Sequence, residues 1–404
     1  MVCNGCPENR LDVARAERYL LENGWLVERN MNKADLILFN ACGRSSKTES
    51  HSIGIIKEIQ SKMTSEQQLI VWGCLPKIDL EGLRKEYQGQ ISFGSELSEL
   101  QQVLKLKQPI DKSFANYLGT VWPVTKENAP EYVRFEGSAI SQIWKKPALR
   151  WDGYLNSRFN LVRSKDPSIF YIKISTGCRS NCAYCAVRIS RGPTKSKPIQ
   201  SVIEEFKLGL QQGYRKFSLM GTDPGSYGVD LGCNFIDLLK ELTALEGKYS
   251  IFLRNFHPFH LKNMLEGFIE VLETKKIKYV ELAAESGNNR ILKLMNRNYT
   301  VEEYKNLIST IRKAYPPIII RTQIIAGFPT ETDEEFQDTM RLLDEITFDY
   351  VEVYEFSARP GTVAAKLEPK VPKDVKRQRF LKLYRKAVYN RTPRKVKNIL
   401  LNRM

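Results

Sequence analysis

Cys178, Cys182 and Cys185 stand with three and then two residues between them in the stretch Ser175-Thr-Gly-Cys-Arg-Ser-Asn-Cys-Ala-Tyr-Cys185. They follow the apolar run Phe170–Ile174, which reads as a strand. Three thiolates on one short loop can face one point, and soft sulfur ligands favour zinc or an iron–sulfur cluster. A structural zinc site normally recruits a fourth Cys or His close by. Here the next Cys is Cys233 and His257 lies further still. A cubane with three protein ligands instead keeps one iron open for a substrate or cofactor. The alternatives are a zinc loop or three packed thiols.

A second set of thiols is scattered in sequence. Cys6 lies near the N-terminus, while Phe39-Asn-Ala-Cys42 and Val71-Trp-Gly-Cys74 each end an apolar run in a cysteine. Ligands gather beyond the carboxyl ends of the strands in an open parallel sheet, so Cys6, Cys42 and Cys74 are expected to converge there as a second cluster site. Lone thiols at strand ends are otherwise often inert packing residues.

The elements that must hold these residues follow from periodicity. Helical spacing over Asn9–Asn23, apolar runs at Leu36–Phe39, Leu69–Trp72 and Ile91–Phe93, and helical stretches near Lys47–Lys62 and Leu80–Tyr87 predict a small open parallel α/β sheet over residues 1–106. From residue 169 to 370, strand-like runs at Phe170–Ile174, Lys216–Met220, Ser250–Arg254, Tyr279–Ala283, Ile318–Ile325 and Tyr350–Phe356 alternate with helical stretches. Six such repeats predict a partial parallel (βα)6 barrel of TIM type, with its site on the loops after the strands. Those loops carry Gly221-Thr-Asp223, His257-Pro258, Glu285-Ser-Gly287, Gly327-Phe-Pro-Thr-Glu-Thr332 and Arg359-Pro-Gly-Thr362. Their glycines, acids and hydroxyls suit a nucleoside-like cofactor. Residues 107–168, rich in aromatics (Tyr117, Trp122, Trp144, Trp151, Tyr154), form a connector without a clear period that shapes a substrate groove or packs the domains together.

Composition sets the broad class. The chain has 404 residues, 42% of them hydrophobic and 27% charged, which suits a soluble globular protein. The absence of a long apolar run or signal core predicts a cytoplasmic protein with no membrane partner. Eight cysteines suit thiolate ligation in a reducing compartment. The net charge of +16 is uneven, because residues 373–404 hold twelve Lys or Arg against Asp374 and so contribute +11. This tail (371–404) is expected to be a basic helix that binds RNA or an acidic peptide, or a solvated face of the barrel.

Taken together, Gly5-Cys6-Pro-Glu-Asn9, Asn40-Ala-Cys42, Gly73-Cys74, Ser175 through Arg191-Gly192, Glu285-Ser-Gly with Ile291–Thr300, Ile325–Phe336 and Ser357–Thr362 resemble the radical S-adenosylmethionine (SAM) methylthiotransferase family. The resemblance implies a transferase that inserts a methylthio group at an unactivated C–H bond. It implies a SAM-binding 4Fe-4S cluster on Cys178, Cys182 and Cys185 and an auxiliary 4Fe-4S cluster on Cys6, Cys42 and Cys74. One SAM would methylate a sulfur at the auxiliary cluster, and another would give a 5′-deoxyadenosyl radical. Tyr184, Gly221, Asp223, Glu285, Ser286 and Gly327 are the expected SAM contacts, Arg359 a substrate contact, and flavodoxin or ferredoxin the electron donor.

The chain also departs from the family. Only Met1–Gly5 precede Cys6, so that first strand is expected to be short or absent. Cys3 has no counterpart, so it either replaces Cys6 or sits free, and Cys233 reads as structural. Nothing after Lys370 reads as the family's small docking β-barrel. On that ground a protein or ribosomally made peptide side chain ranks first as substrate. A transfer-RNA adenosine ranks second, and an inactive cluster-binding scaffold last.

Overall fold

The computed structural model describes residues 1–28, 30–93, 97–107 and 168–401, without the side chains of 97–98, 388–389 and 391–401. The aromatic connector, and the groove ascribed to it, lie outside the described residues. Contacts divide the chain into two compact units: residues 1–173 with 186–192 and 359–361, and residues 174–185 with 193–358 and 362–404.

In the first unit β1 (Val2–Cys3), β2 (Leu36–Ala41), β3 (Gln68–Gly73) and β4 (Gln90–Ile91) form a parallel sheet in sequence order. The strands are buried on both faces because their residues alternate between two cores. Ile37, Phe39, Ala41, Leu69 and Val71 pack with Ile55, Ile56 and Ile59 of the helix Ser46–Lys62. Leu38, Ile70 and Trp72 pack with Val13, Ala16, Tyr19 and Leu20 of the helix Pro7–Glu22. Side chains of period two on strands between helices of period 3.6 leave this arrangement as the way to cover both faces. The first strand is present but only two residues long.

A six-stranded parallel sheet holds six of the remaining strands in the order β12–β11–β10–β9–β8–β5. These are β5 (Ile169–Lys173), β8 (Lys216–Met220), β9 (Ser250–Phe256), β10 (Ile277–Leu282), β11 (Ile319–Ala326) and β12 (Tyr350–Glu355). All six expected strands are present, with helices between them. Asn234 with Asp237, Thr300 with Glu303 and Thr332 with Glu335 close capping boxes that start three of those helices just beyond loops of the strands' carboxyl side. A short antiparallel pair, β6 (Ser175–Thr176) with β7 (Lys195–Ser196), was not expected. It ties together the two ends of the segment that carries the three clustered cysteines. The helix Lys373–Leu401 packs on β12 and on the helix Asp333–Glu345. Among the described residues no helix is long and apolar enough to cross a membrane.

Candidate active site: two cysteine triads and their polar surroundings

Register explains why scattered cysteines meet in the first unit. Cys3 pairs with Asn40 and Ala41 with Gly73, so Cys42 and Cys74 leave adjacent strands at the same level, and Cys6 follows β1 on the same edge. Cys6 and Cys74 each stand just before a helix that has Pro in its first turn, and this fixes where the chain turns. Gly73 has φ +99°, and a Cβ there would lie 2.8 Å from Asn40 Oδ1. Only glycine fits at that point. The Cys42 backbone is clamped: its N–H donates to Asn4 Oδ1 (3.0 Å), and Ser52 Oγ donates to its carbonyl (2.8 Å).

Asn9 joins the other two cysteines. Its Oδ1 accepts from Cys74 Sγ at 3.6 Å and from Cys6 Sγ at 3.8 Å. Burial pushes the Cys6 thiol up to about 11, and Cys42 is also raised, first by burial and then by Cys74. A bound metal centre reverses such a preference, because its charge deprotonates a coordinating thiol. Asn9 Nδ2 and Arg191 Nε are buried there as donors without partners, and Asn40 Oδ1 is an orphaned acceptor. Orphan donors beside three thiols fit a sulfide-rich cluster, which offers many acceptors. Cys3 stands near Cys6 and Cys42 but also lies against the core. It packs with the Leu38, Ile70 and Trp72 core, its sulfur accepts from Gly5 N–H (3.3 Å), and burial raises it to about 12.

In the second unit the loop Cys178–Cys185 is pinned by its own backbone. Ala183 N–H donates to Met295 O (2.9 Å), and Ala364 N–H donates to Ala183 O (2.8 Å). Ala183 and Tyr184 pack with Ile291, Met295, Ile325, Phe328 and Phe356. Cys178 Sγ accepts from Ser180 N–H (3.3 Å) and lies 3.6 Å from Asp223 Oδ2. Cys182 Sγ accepts from Arg297 Nη1 (3.4 Å). N–H groups aimed at sulfur are the donors that tune a thiolate-held cluster. Among the described residues no group of three His, Cys, Asp or Glu side chains is placed to hold a single metal ion. A cubane asks less convergence of its ligands, since each thiolate takes a different iron.

The expected cofactor residues divide by what surrounds them. Tyr184 Oη donates to Glu285 Oε1 (2.7 Å), and burial keeps that hydroxyl protonated. Glu285 itself has φ +63°, a strained backbone of the kind that gathers at functional sites. Asp223 is buried with Oδ1 unpartnered, while Oδ2 meets His260 Nε2 (3.1 Å) and Ser180 Oγ (3.3 Å). Gly221 lies against Ser175, whose Oγ would stand 2.6 Å from an added Cβ. The other expected residues have these protein neighbours. Ser286 Oγ pairs with Thr339 Oγ1 (3.4 Å), and Gly327 gives room to Lys376, whose Cγ would lie 2.6 Å from a Cβ. Arg359 is buried in the first unit and ion-paired with Glu49. Cys233 sits against Gly228.

Sequence reasoning assigned no role to Arg297, His260, Ser180, Asn9 or Arg191. Asn9, Arg191 and Arg297 fall inside the motif stretches, where their types alone did not say what they touch.

A partial barrel with a CxxxCxxC loop after its first strand defines a radical SAM protein, and residues 172–343 match the Radical SAM superfamily. Residues 1–94 match a family described as Uncharacterized protein family UPF0004. A probable threonylcarbamoyladenosine tRNA methylthiotransferase of Pyrococcus abyssi is 31% identical over 90% of this chain and 77% of its own length. A tRNA-2-methylthio-N(6)-dimethylallyladenosine synthase of Acetivibrio thermocellus is 28% identical over 99% of this chain and 78% of its own. Among solved structures, the radical SAM methyltransferase TsrM of Kitasatospora setae, with cobalamin and a [4Fe-4S] cluster bound, shares the fold at TM-score 0.58 and 13% identity, covering 90% of this chain and 76% of that one. The chain belongs to the radical SAM methylthiotransferase family. It is a transferase, and membership implies SAM and a 4Fe-4S cluster.

Proposed function

We propose that this enzyme inserts a methylthio group into an adenosine of transfer RNA, using two 4Fe-4S clusters. The observation that carries the reading is the strand register that sets Cys6, Cys42 and Cys74 at one sheet edge, a thiol site additional to the Cys178, Cys182 and Cys185 loop. Bound there, SAM and the clusters supply one-electron cleavage of SAM and the sulfur that is transferred. The chain's own residues hold those groups. Cys178, Cys182 and Cys185 ligate the SAM-binding cluster, and Cys6, Cys42 and Cys74 the auxiliary one. Arg297 donates to Cys182, and Tyr184 locks the Glu285 carboxylate in place beside the loop. Asp223 keeps an open carboxylate oxygen for a cationic or hydroxyl group of SAM.

The nature of the substrate rests on the relatives, whose names specify transfer RNA over nine-tenths or more of this chain. They favour the reading ranked second on the sequence. The polypeptide reading leaned on the lack of strand-like runs after Lys370 and on the connector, which lies outside the described residues. A net charge of +16 suits a polyanionic partner.

The test is anaerobic reaction of the reconstituted enzyme with SAM, reductant and transfer RNA from a strain deleted for the gene. Nucleoside mass spectrometry should show adenosine carrying CH3S in place of hydrogen. An unmodified transfer RNA beside methylthiolated protein would overturn the substrate, and SAM cleavage with no sulfur insertion anywhere would overturn the reaction.

A further inference from the structure

Beside Cys6 and Cys74 lies a group of buried charges. Glu8, Asn9 and Asp12 project from the first turns of the helix Pro7–Glu22, all buried, and Arg191 and Lys173 meet them there. Arg191 donates from Nη2 to Asn9 Oδ1 (2.5 Å) and from Nη1 to Asp12 Oδ2 (2.7 Å), and its Nη1 lies 3.5 Å from Glu8 Oε1. Lys173 pairs with the other oxygen of Asp12. Asn9 Oδ1 is therefore shared by one guanidinium and two cysteine thiols.

Arg191 is 6% exposed, and its Nε has no partner. Burying an arginine is costly unless its charge is matched. Two carboxylates and a lysine balance the group, so the protein retains an internal cation next to two thiols. Structural need alone does not require that cation to reach Asn9.

We propose that Arg191 is a positioning residue for the auxiliary cluster: by holding Asn9 Oδ1 it leaves the unpartnered Asn9 Nδ2 as a donor to the cluster's sulfur once Cys6 and Cys74 are thiolates, and its charge stabilises the cluster's reduced, more negative state. This rests on the auxiliary cluster of the proposed function. Adding an electron to a buried cluster is easier beside a fixed cation and harder beside a fixed anion, and little salt screening reaches such a site. Arg191 and Glu8 flank Cys6 with opposite charges. Removing each should therefore move the cluster's potential in opposite directions.

The experiment uses the full chain with Cys178, Cys182 and Cys185 replaced by Ala, so that only the auxiliary centre remains. It is titrated stepwise with dithionite and read by electron paramagnetic resonance. Arg191→Met should lower the midpoint potential, Glu8→Gln should raise it, and Arg191→Lys should stay near the parent. Shifts of the same sign in Arg191→Met and Glu8→Gln, or no shift in either, would overturn the proposal, because general loosening of the site has no sign preference. Should Arg191→Met fail to fold, the rise in Glu8→Gln carries the test and its absence refutes it. A parent that binds no iron would remove the auxiliary-cluster reading itself, and this inference with it.

Discussion

Arg297 shows how one side chain serves several groups at once. It is buried and donates to Cys182 Sγ (3.4 Å), Ala283 O (2.8 Å) and Tyr299 Oη (3.2 Å). A charged hydrogen bond to a buried group is worth about 1.5–3 kcal/mol. Arg297→Met should therefore cut SAM cleavage to 5′-deoxyadenosine by roughly 10- to 100-fold, since 1.4 kcal/mol is tenfold. Unchanged cleavage would mean that this donor does not matter to the site. Glu335 offers a test in pH. Hydrogen bonds from Arg290, together with the Thr332 backbone N–H, hold its carboxyl below the usual carboxylate range. A folded value below the unfolded one gives stability that is present above the ordinary 4.5 and is lost as pH falls through the folded value. Glu335→Gln should flatten the acid side of the stability profile and leave the neutral side nearly parallel to wild type, as followed by urea unfolding between pH 3 and 7.

At the scale of elements, close backbone approach fixes the loops after the strands. A Cβ on Gly287 would stand 2.6 Å from Asp338 O and Thr339 Cα, both backbone atoms that cannot yield. Gly287→Ala should cost about 1–3 kcal/mol. Thermal denaturation should show it as a lowered midpoint, and the Glu285 loop should loosen with it. Most of this layer was legible in the sequence. All six barrel strands and the parallel N-terminal sheet followed from apolar period and helix signals, and the convergence of Cys6, Cys42 and Cys74 followed from strand ends. What remained hidden depends on three-dimensional neighbours. The β6–β7 pair is two residues long on each side, too short for a period to show. Ser286 and Gly327 read as ligand contacts because hydroxyls and glycines do so at strand ends, and their protein neighbours Thr339 and Lys376, which come from helices distant in sequence, carried no signal there. Asn9 and Arg191 carried no pattern of their own, since a buried charge group is defined by partners up to 182 residues apart.

At the scale of the whole molecule, charge and metal content decide the account. Lys382 and Arg385 are exposed on the helix Lys373–Leu401. Reversing both to Glu should weaken transfer-RNA binding and reduce the slope of log affinity against log salt by about 0.7–0.9 per lost phosphate contact. An unchanged slope would take this helix out of the interface. The most direct measurement of the central claim is iron per chain after anaerobic reconstitution. Two four-iron clusters give about eight irons in the wild type and about four when either cysteine triad is replaced by Ala. About four irons in the wild type, unaltered by replacing Cys6, Cys42 and Cys74, would contradict it.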